Sequence, residues 1–572
     1  MSEKRYGELP HSPVVFAACD SNYFKKFAPA FLASIAKNTK LNAHVHVINP
    51  DDEVLALACY LNSMVSNEVT YTFSDSDLSQ YNQEQKRALY ASLRFLVAPL
   101  ILQHAGEMLI LDIDCMVMEN FNYPKDYKVG YFPRKPLEGT VGWEQEGTKV
   151  AAGCVYFHKD AMNVCNAVGE TLGGLELRWF NDQIALNHVF SQLPEEVCWK
   201  YDWTFMDWEF KEGTIIWTGK GPRKYDNPKY VNKQNEYTDM IMNYDYDQMI
   251  PDRIILKPRL DTPFKRFGLT IANSVREPIR KHWANFVDKM TTERTHIVES
   301  PRWMFNENIE KYFPNTQILV PHVEQHVWGG GHKTYYYMQT VFPWLFTLDP
   351  LGWAGGAQYI SSFDPKADYD DVAYRNMQEY IQQGSKFQHL QSKTTQWGTI
   401  DKGYYIIVPL QLPHDETIKY HSDFSVEEFV TRICEWVVEN DDAPEVVFKG
   451  HPVNLESMKP LKEIVEKFRA DGEQRVKDSL TYIEQGNFHE LVNESIGMFV
   501  LNGGSGQEAM LLEKPVVCFG RCDYAPAVIQ GDIKDVDQAY NDMMFDDENI
   551  RIEMYKRWFD WYIKDICIDT RK

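Results

Sequence analysis

Asp112 and Asp114 close the apolar run MLILDID, and strand geometry places residues two apart on the same side of the backbone. Two carboxylates aimed one way from a strand end suit a hard divalent cation, and such a cation neutralises a diphosphate while leaving positions for its oxygens. A second group lies far along the chain. In MFVLNGGSGQEAM, Gly503, Gly504 and Gly506 surround Ser505 just before a helix start, where backbone N–H groups can close on an oxyanion. Glu508 falls in the first helical turn, placed for a ribose hydroxyl or for the helix end itself. No GK[ST] follows these glycines, so the segment is not a P-loop. Upstream, VVFKGHP ends a strand in Lys449-Gly450-His451-Pro452. TLDPLGWAGG adds Asp349, either a turn starter or a nucleophile or general acid/base at an anomeric carbon. His322 and His326 are four apart and lack a third ligand for a metal.

The elements that must position these groups read as α/β. VVFAACD, the amphipathic FLASIAKN and HVHVINP give the strand-helix-strand rhythm of a parallel sheet, continued by MLILDID, KVGYF, GCVYFH and GTIIWTG. A Rossmann-like domain is expected over 1–226, followed by a connector over 227–300 that is partly helical and basic. The rhythm returns over 301–572, as two lobes of about 301–400 and 401–572. The terminal MYKRWFDWYIKDI reads as a docking helix over a core.

Composition narrows the partners. The 572 residues carry 59 Lys+Arg and 82 Asp+Glu, a net charge of −23, which argues against nucleic acid because non-specific binding needs a cationic surface. Ten cysteines are scattered without a CxxC pair, as expected for free thiols in a reducing compartment, and no run of about 18 apolar residues occurs. Both points suggest the cytoplasm. In PFKRFGLTIANSVREPIRKHWANF, Lys265, Arg266, Arg276, Arg280 and Lys281 interleave with Phe264, Phe267, Ile279 and Trp283. This reads first as a linker helix packed between domains, and second as a peripheral contact with the inner face of a membrane.

Two resemblances give these groups a context. The N-terminal segments resemble the GT-A retaining glycosyltransferases of the glycogenin and lipopolysaccharide galactosyltransferase type. The resemblance implies that Asp20 and Tyr23 hold the nucleobase and Arg94 touches the diphosphate. It further implies that Asp112 and Asp114 bind Mn²⁺ or Mg²⁺, and that Asp182 and Gln183 of FNDQIALN face the donor sugar and acceptor. One departure stands out: where that family closes with His-aromatic-x-Gly, this chain reads Ile216-Trp217-Thr218-Gly219, with Lys220 and Lys224 beside it. Isoleucine cannot ligate a metal.

His451-Pro452 and SGQEAMLLEKPV, from Ser505 to Val516, resemble capsule polysaccharide biosynthesis proteins, a group that includes β-Kdo transferases. That resemblance implies a compact GT-B-like pair of lobes in which His451, Pro452, Gly504, Ser505 and Glu508 hold a CMP-type nucleotide without a metal, with Asp349 as the catalytic carboxylate. The combined expectation is a bifunctional glycosyltransferase. It would take a UDP-type donor in the first half and a CMP-type donor in the second, and add sugars to a glycan or lipid-linked glycan. Two alternatives stay open for the C-terminal half: a glycan-binding module without catalysis, and a polyol-phosphate transferase.

Overall fold

The computed structural model describes residues 4–124, 126–135, 143–242, 251–259, 264–266, 269–271, 277–331, 333–384 and 391–571. The chain divides into two compact units, Met1–Val275 with Glu293–Thr316, and Arg276–Thr292 with Gln317–Lys572. The connector is therefore not a body of its own. Its strand Arg253–Pro258 pairs in parallel with Thr295–Ser300 inside the first unit. Its helix Glu277–Met290 belongs to the second, because Phe286 stacks on Tyr337 and Phe346 there, at 4.7 and 4.6 Å. Trp283 is buried against the same core, so this aromatic of the suggested membrane face is occupied by protein. The side chains of Phe264, Lys265, Arg266, Phe267, Arg276 and Ile279 lie outside the described residues.

In the first unit the parallel strands Val69–Asp75, Asn42–Ile48, Val14–Asp20 and Glu107–Leu111 lie side by side in that order. Successive strands step one way from Val14–Asp20 and the fourth returns to its other side, so the crevice that accepts ligands opens at the C-terminal ends of Val14–Asp20 and Glu107–Leu111. Val150–His158 then adds antiparallel to Glu107–Leu111. The helix Gln83–Ala105 starts on a capping box of Asn82 and Gln85 and lays Leu93, Phe95, Ile101 and Leu102 into the core. It is long and apolar enough to cross a membrane by length and composition, yet most of it is buried in this unit.

The second unit holds two sheets. One orders Gln317–Pro321, Thr334–Gln339, Leu345–Asp349 and Ile568–Asp569. The other is wholly parallel, ordered Leu480–Ile483, Glu445–Lys449, Tyr405–Pro409, Gly497–Val500, Val516–Cys518 and Ile529–Gln530. In chain order this is 3-2-1-4-5-6, the doubly wound arrangement, with its reversal between Tyr405–Pro409 and Gly497–Val500. Helix Glu548–Trp561 buries Tyr555, Trp558 and Phe559 over one face, as its sequence suggested.

Candidate functional site

The first site forms where the strand order of the first unit reverses. Asp112 follows Glu107–Leu111, and its carboxylate lies over Gly153, where a Cβ would sit 2.7 Å from Oδ2. A larger residue there would push that carboxylate aside. From the middle of its long helix, Arg94 reaches across to pair with Asp112 at 2.8 Å and Asp182 at 3.1 Å, and it also donates to the Ala152 carbonyl. Arg94 and Asp182 are nearly closed to solvent, with side chains 6% and 8% exposed, whereas Asp112 is 34% exposed. Burial lifts the Asp182 carboxyl above its ordinary value and Arg94 opposes the rise.

Asp114 has a partner that the sequence did not reveal. The Lys224 ammonium lies 2.5 Å from Asp114 Oδ2, and the two side chains are 11% and 8% exposed. Tyr230 and the Gly219 N–H both donate to the Asp114 carbonyl, at 2.6 and 3.1 Å. Burial raises Asp114 to about 6 despite the pull of Lys224, with Asp112 adding to the rise. The strand Cys115–Val117 that follows pairs antiparallel with Ile216–Thr218, and Ile216 is fully buried in that pairing.

The other expected residues gather at the same edge. Asp20 caps the helix Ser21–Asn38 by accepting from the Tyr23 N–H, so its carboxylate has a structural task. The Tyr23 and Tyr225 hydroxyls are 3.5 Å apart, and both rings are partly open to solvent, a surface suited to a base. Gln183 accepts from Arg134 at 2.8 Å. The Asp182 carboxylate is spent on Arg94, which makes it a positioning group and not the free carboxylate expected to meet the sugar.

The expected divalent cation does not fit this donor set. Arg94 covers Asp112, Lys224 covers Asp114, and Ile216, where the resemblance would place a histidine, is buried. Among the described residues no group of three or more His, Cys, Asp or Glu is arranged to hold a metal. His322 stacks on Trp283 at 5.3 Å while His326 pairs with Glu324 at 3.0 Å, so those two histidines do not converge either.

The second site is a cavity of about 300 Å³ at the strand-order reversal of the parallel sheet. Gln411 enters from the end of Tyr405–Pro409, His451 and Pro452 from the end of Glu445–Lys449, and Gly503, Gly504 and Ser505 from the loop after Gly497–Val500. Glu508 lines it as well and pairs with His489 at 2.8 Å. Gly504 needs to be glycine, since a Cβ there would sit 1.9 Å from Val341 Cγ1. Burial pushes His451 down to about 4, Asp415 opposing and Lys449 assisting. The ring is thus neutral near pH 7. Its Nδ1 accepts from the Val453 N–H, which leaves the proton on Nε2. Lys449 is lowered by burial to about 8, and its ammonium donates to the Gly450 and Glu484 carbonyls.

Asp349 is a correction. It is 2% exposed, and its two oxygens accept from the backbone N–H groups of Leu351, Gly352, Gln358 and Tyr359. A carboxylate with its lone pairs so used holds a loop together and cannot attack a sugar or take a proton. It does not line the cavity; the carboxylates that do are Asp415 and Glu508. The sequence also missed the buried contact of Glu324 with His421, which no local motif announces.

Residues 357–539, which include the His451-Pro452 turn and the Ser505 segment, match the capsule polysaccharide biosynthesis protein family. The capsule polysaccharide modification protein LipB of Neisseria meningitidis, in serogroup A and serogroup B strains, is 26% identical over 124 residues, 21% of this chain. The match spans 29% of the length of those curated relatives. Among solved structures the chain is similar to the β-Kdo 2,7 transferase of Thermosulfurimonas dismutans KpsC. That match has 16% identity and a TM-score of 0.34, and covers 56% of this chain and 96% of the other. It is also similar to the galactosyltransferase LgtC, at 14% identity and a TM-score of 0.30, covering 40% and 95%. The N-terminal half is an α/β unit whose D-x-D lies at a strand end. The matched segment contains Gln411, His451, Pro452 and the glycine-rich wall of the second cavity.

Proposed function

We propose that the protein is a glycosyltransferase with two nucleotide-sugar sites, one in the GT-A-like half and one in the capsule-synthesis domain, acting on a surface glycan or its lipid-linked precursor. The observation that carries this reading is the convergence of His451, Pro452, Gly503, Gly504, Ser505 and Glu508 on one cavity within the matched family segment. A volume of about 300 Å³ suits a small-molecule ligand. A neutral imidazole N–H and closely approaching backbone suit a nucleotide monophosphate, which is the reason for proposing a CMP-type donor here. The exposed tyrosines Tyr23 and Tyr225, with the cations Lys220 and Arg134 near the D-x-D carboxylates, support a nucleoside diphosphate donor, of UDP type, in the first half.

In each transfer the bond from the anomeric carbon to the phosphate oxygen breaks, and its electron pair leaves with the nucleotide. The acceptor oxygen forms the new bond and gives up its proton to the departing phosphate or to solvent. Groups fixed before reaction, such as His451 on the departing phosphate, stabilise the charge that develops there. Ten cysteines, all free thiols, support a location in the cytoplasm, at the membrane face where lipid-linked acceptors are found.

Donor turnover across a panel of UDP- and CMP-linked sugars tests the proposal. Turnover of one donor from each class, with His451→Ala removing only the second, is the expected result. A second reading, in which the capsule-synthesis domain binds without transferring, draws on the saturated Asp349 carboxylate. It predicts that Asp415→Asn and Glu508→Gln leave every donor turnover intact.

A further inference from the structure

Resting on the diphosphate reading of the first half, we propose that the Lys224 ammonium is the cation of the D-x-D site, so that this site takes a nucleoside diphosphate donor without a divalent metal. The ammonium has a built seat. It lies 2.5 Å from Asp114 Oδ2, with the faces of Tyr23 and Phe27 at 4.8 and 5.5 Å. Tyr230 and the Gly219 N–H hold the Asp114 backbone carbonyl, which fixes the point from which the carboxylate projects. A metal would have to displace an ammonium that is 11% exposed, and an ammonium left without its partner in such a place is costly. The third ligand that would offset this cost is replaced by Ile216, whose strand is committed to pairing with Cys115–Val117.

The local charge agrees. Arg94 and Lys224 engage the three carboxylates of Asp112, Asp114 and Asp182. Lys220 sits with its ammonium 3.8 Å from the Trp208 ring centroid, and Arg134 donates to the Gln183 amide; among the described residues neither has an acidic ion-pair partner. These two cations remain for the diphosphate, the role that a carboxylate-held metal fills elsewhere.

The test uses the full chain. Mn²⁺ alone, and UDP in excess EDTA, are titrated by calorimetry and followed by thermal unfolding. The expected wild-type results are no stoichiometric uptake of Mn²⁺ and a UDP affinity unchanged by EDTA. Lys224→Ala loses about tenfold in UDP affinity in EDTA. It also gains Mn²⁺ uptake with a Mn²⁺-dependent rise in melting temperature, because Asp114 is then unpaired. Lys224→Arg keeps metal-free binding. Stoichiometric Mn²⁺ uptake by the wild type that Asp114→Asn removes, or a collapse of UDP affinity in EDTA, overturns the proposal. If UDP binds in no arm, the diphosphate reading of this half fails, and the Mn²⁺ titrations of wild type and Lys224→Ala still decide which cation the carboxylates hold.

Discussion

The two sites occupy the same topological place and are built from opposite materials. Each lies where a parallel sheet reverses its strand order, between Val14–Asp20 and Glu107–Leu111 in one unit and between Tyr405–Pro409 and Gly497–Val500 in the other. The first is a lattice of side-chain charge, in which Arg94, Asp112, Asp114, Asp182 and Lys224 are mutually paired. The second is mostly neutral, made of glycine backbone, Ser505, Gln411 and an uncharged His451, and its lysine is turned toward carbonyls. The sheet therefore fixes where each site opens and leaves open how a ligand's charge would be met. A charge lattice puts stability at stake when one member is lost, whereas a neutral cavity puts shape at stake.

Substitutions at Arg94 should divide the two sites most sharply. Arg94→Ala leaves Asp112 and the buried Asp182 unpaired and should cost about 3–5 kcal/mol in the unfolding of the first unit, measured in denaturant. His451→Ala should leave stability nearly unchanged. Asp349→Asn comes next: replacing acceptors that hold four backbone N–H groups should cost about 1–3 kcal/mol of stability while leaving nucleotide affinity unaltered. A loss of affinity without loss of stability would return Asp349 to the chemistry.

Gly504→Ala drives a methyl into Val341 and should weaken CMP binding by about tenfold without touching UDP binding. The smallest effect is one of pH. Burial depresses Lys449 to about 8, so its ammonium is present below that pH and lost above it. CMP affinity should decline a few-fold between about pH 7 and pH 9, and Lys449→Met should flatten the profile.

What could be read in the sequence follows from how local the physics is. The D-x-D strand end and the glycine-rich turn are legible because alternation and close backbone approach are properties of neighbouring residues. The Asp114–Lys224 pair is not, because its members are 110 residues apart and a lone lysine resembles a solvated one. Asp349 misled because saturation by backbone N–H groups leaves no trace in residue types. The connector was legible in part: its helix was expected, but only the placement of Tyr337 and Phe346 beneath Trp283 distinguishes a packed helix from a membrane face. The C-terminal helix was legible because Tyr555, Trp558 and Phe559 crowd one short segment.

The most direct test of two independent sites is donor turnover by the full chain, comparing Arg94→Lys with His451→Ala on one UDP-linked and one CMP-linked sugar. Each variant is expected to abolish turnover of one donor and spare the other. Loss of both activities in either variant, or an intact pair in His451→Ala, would contradict that expectation.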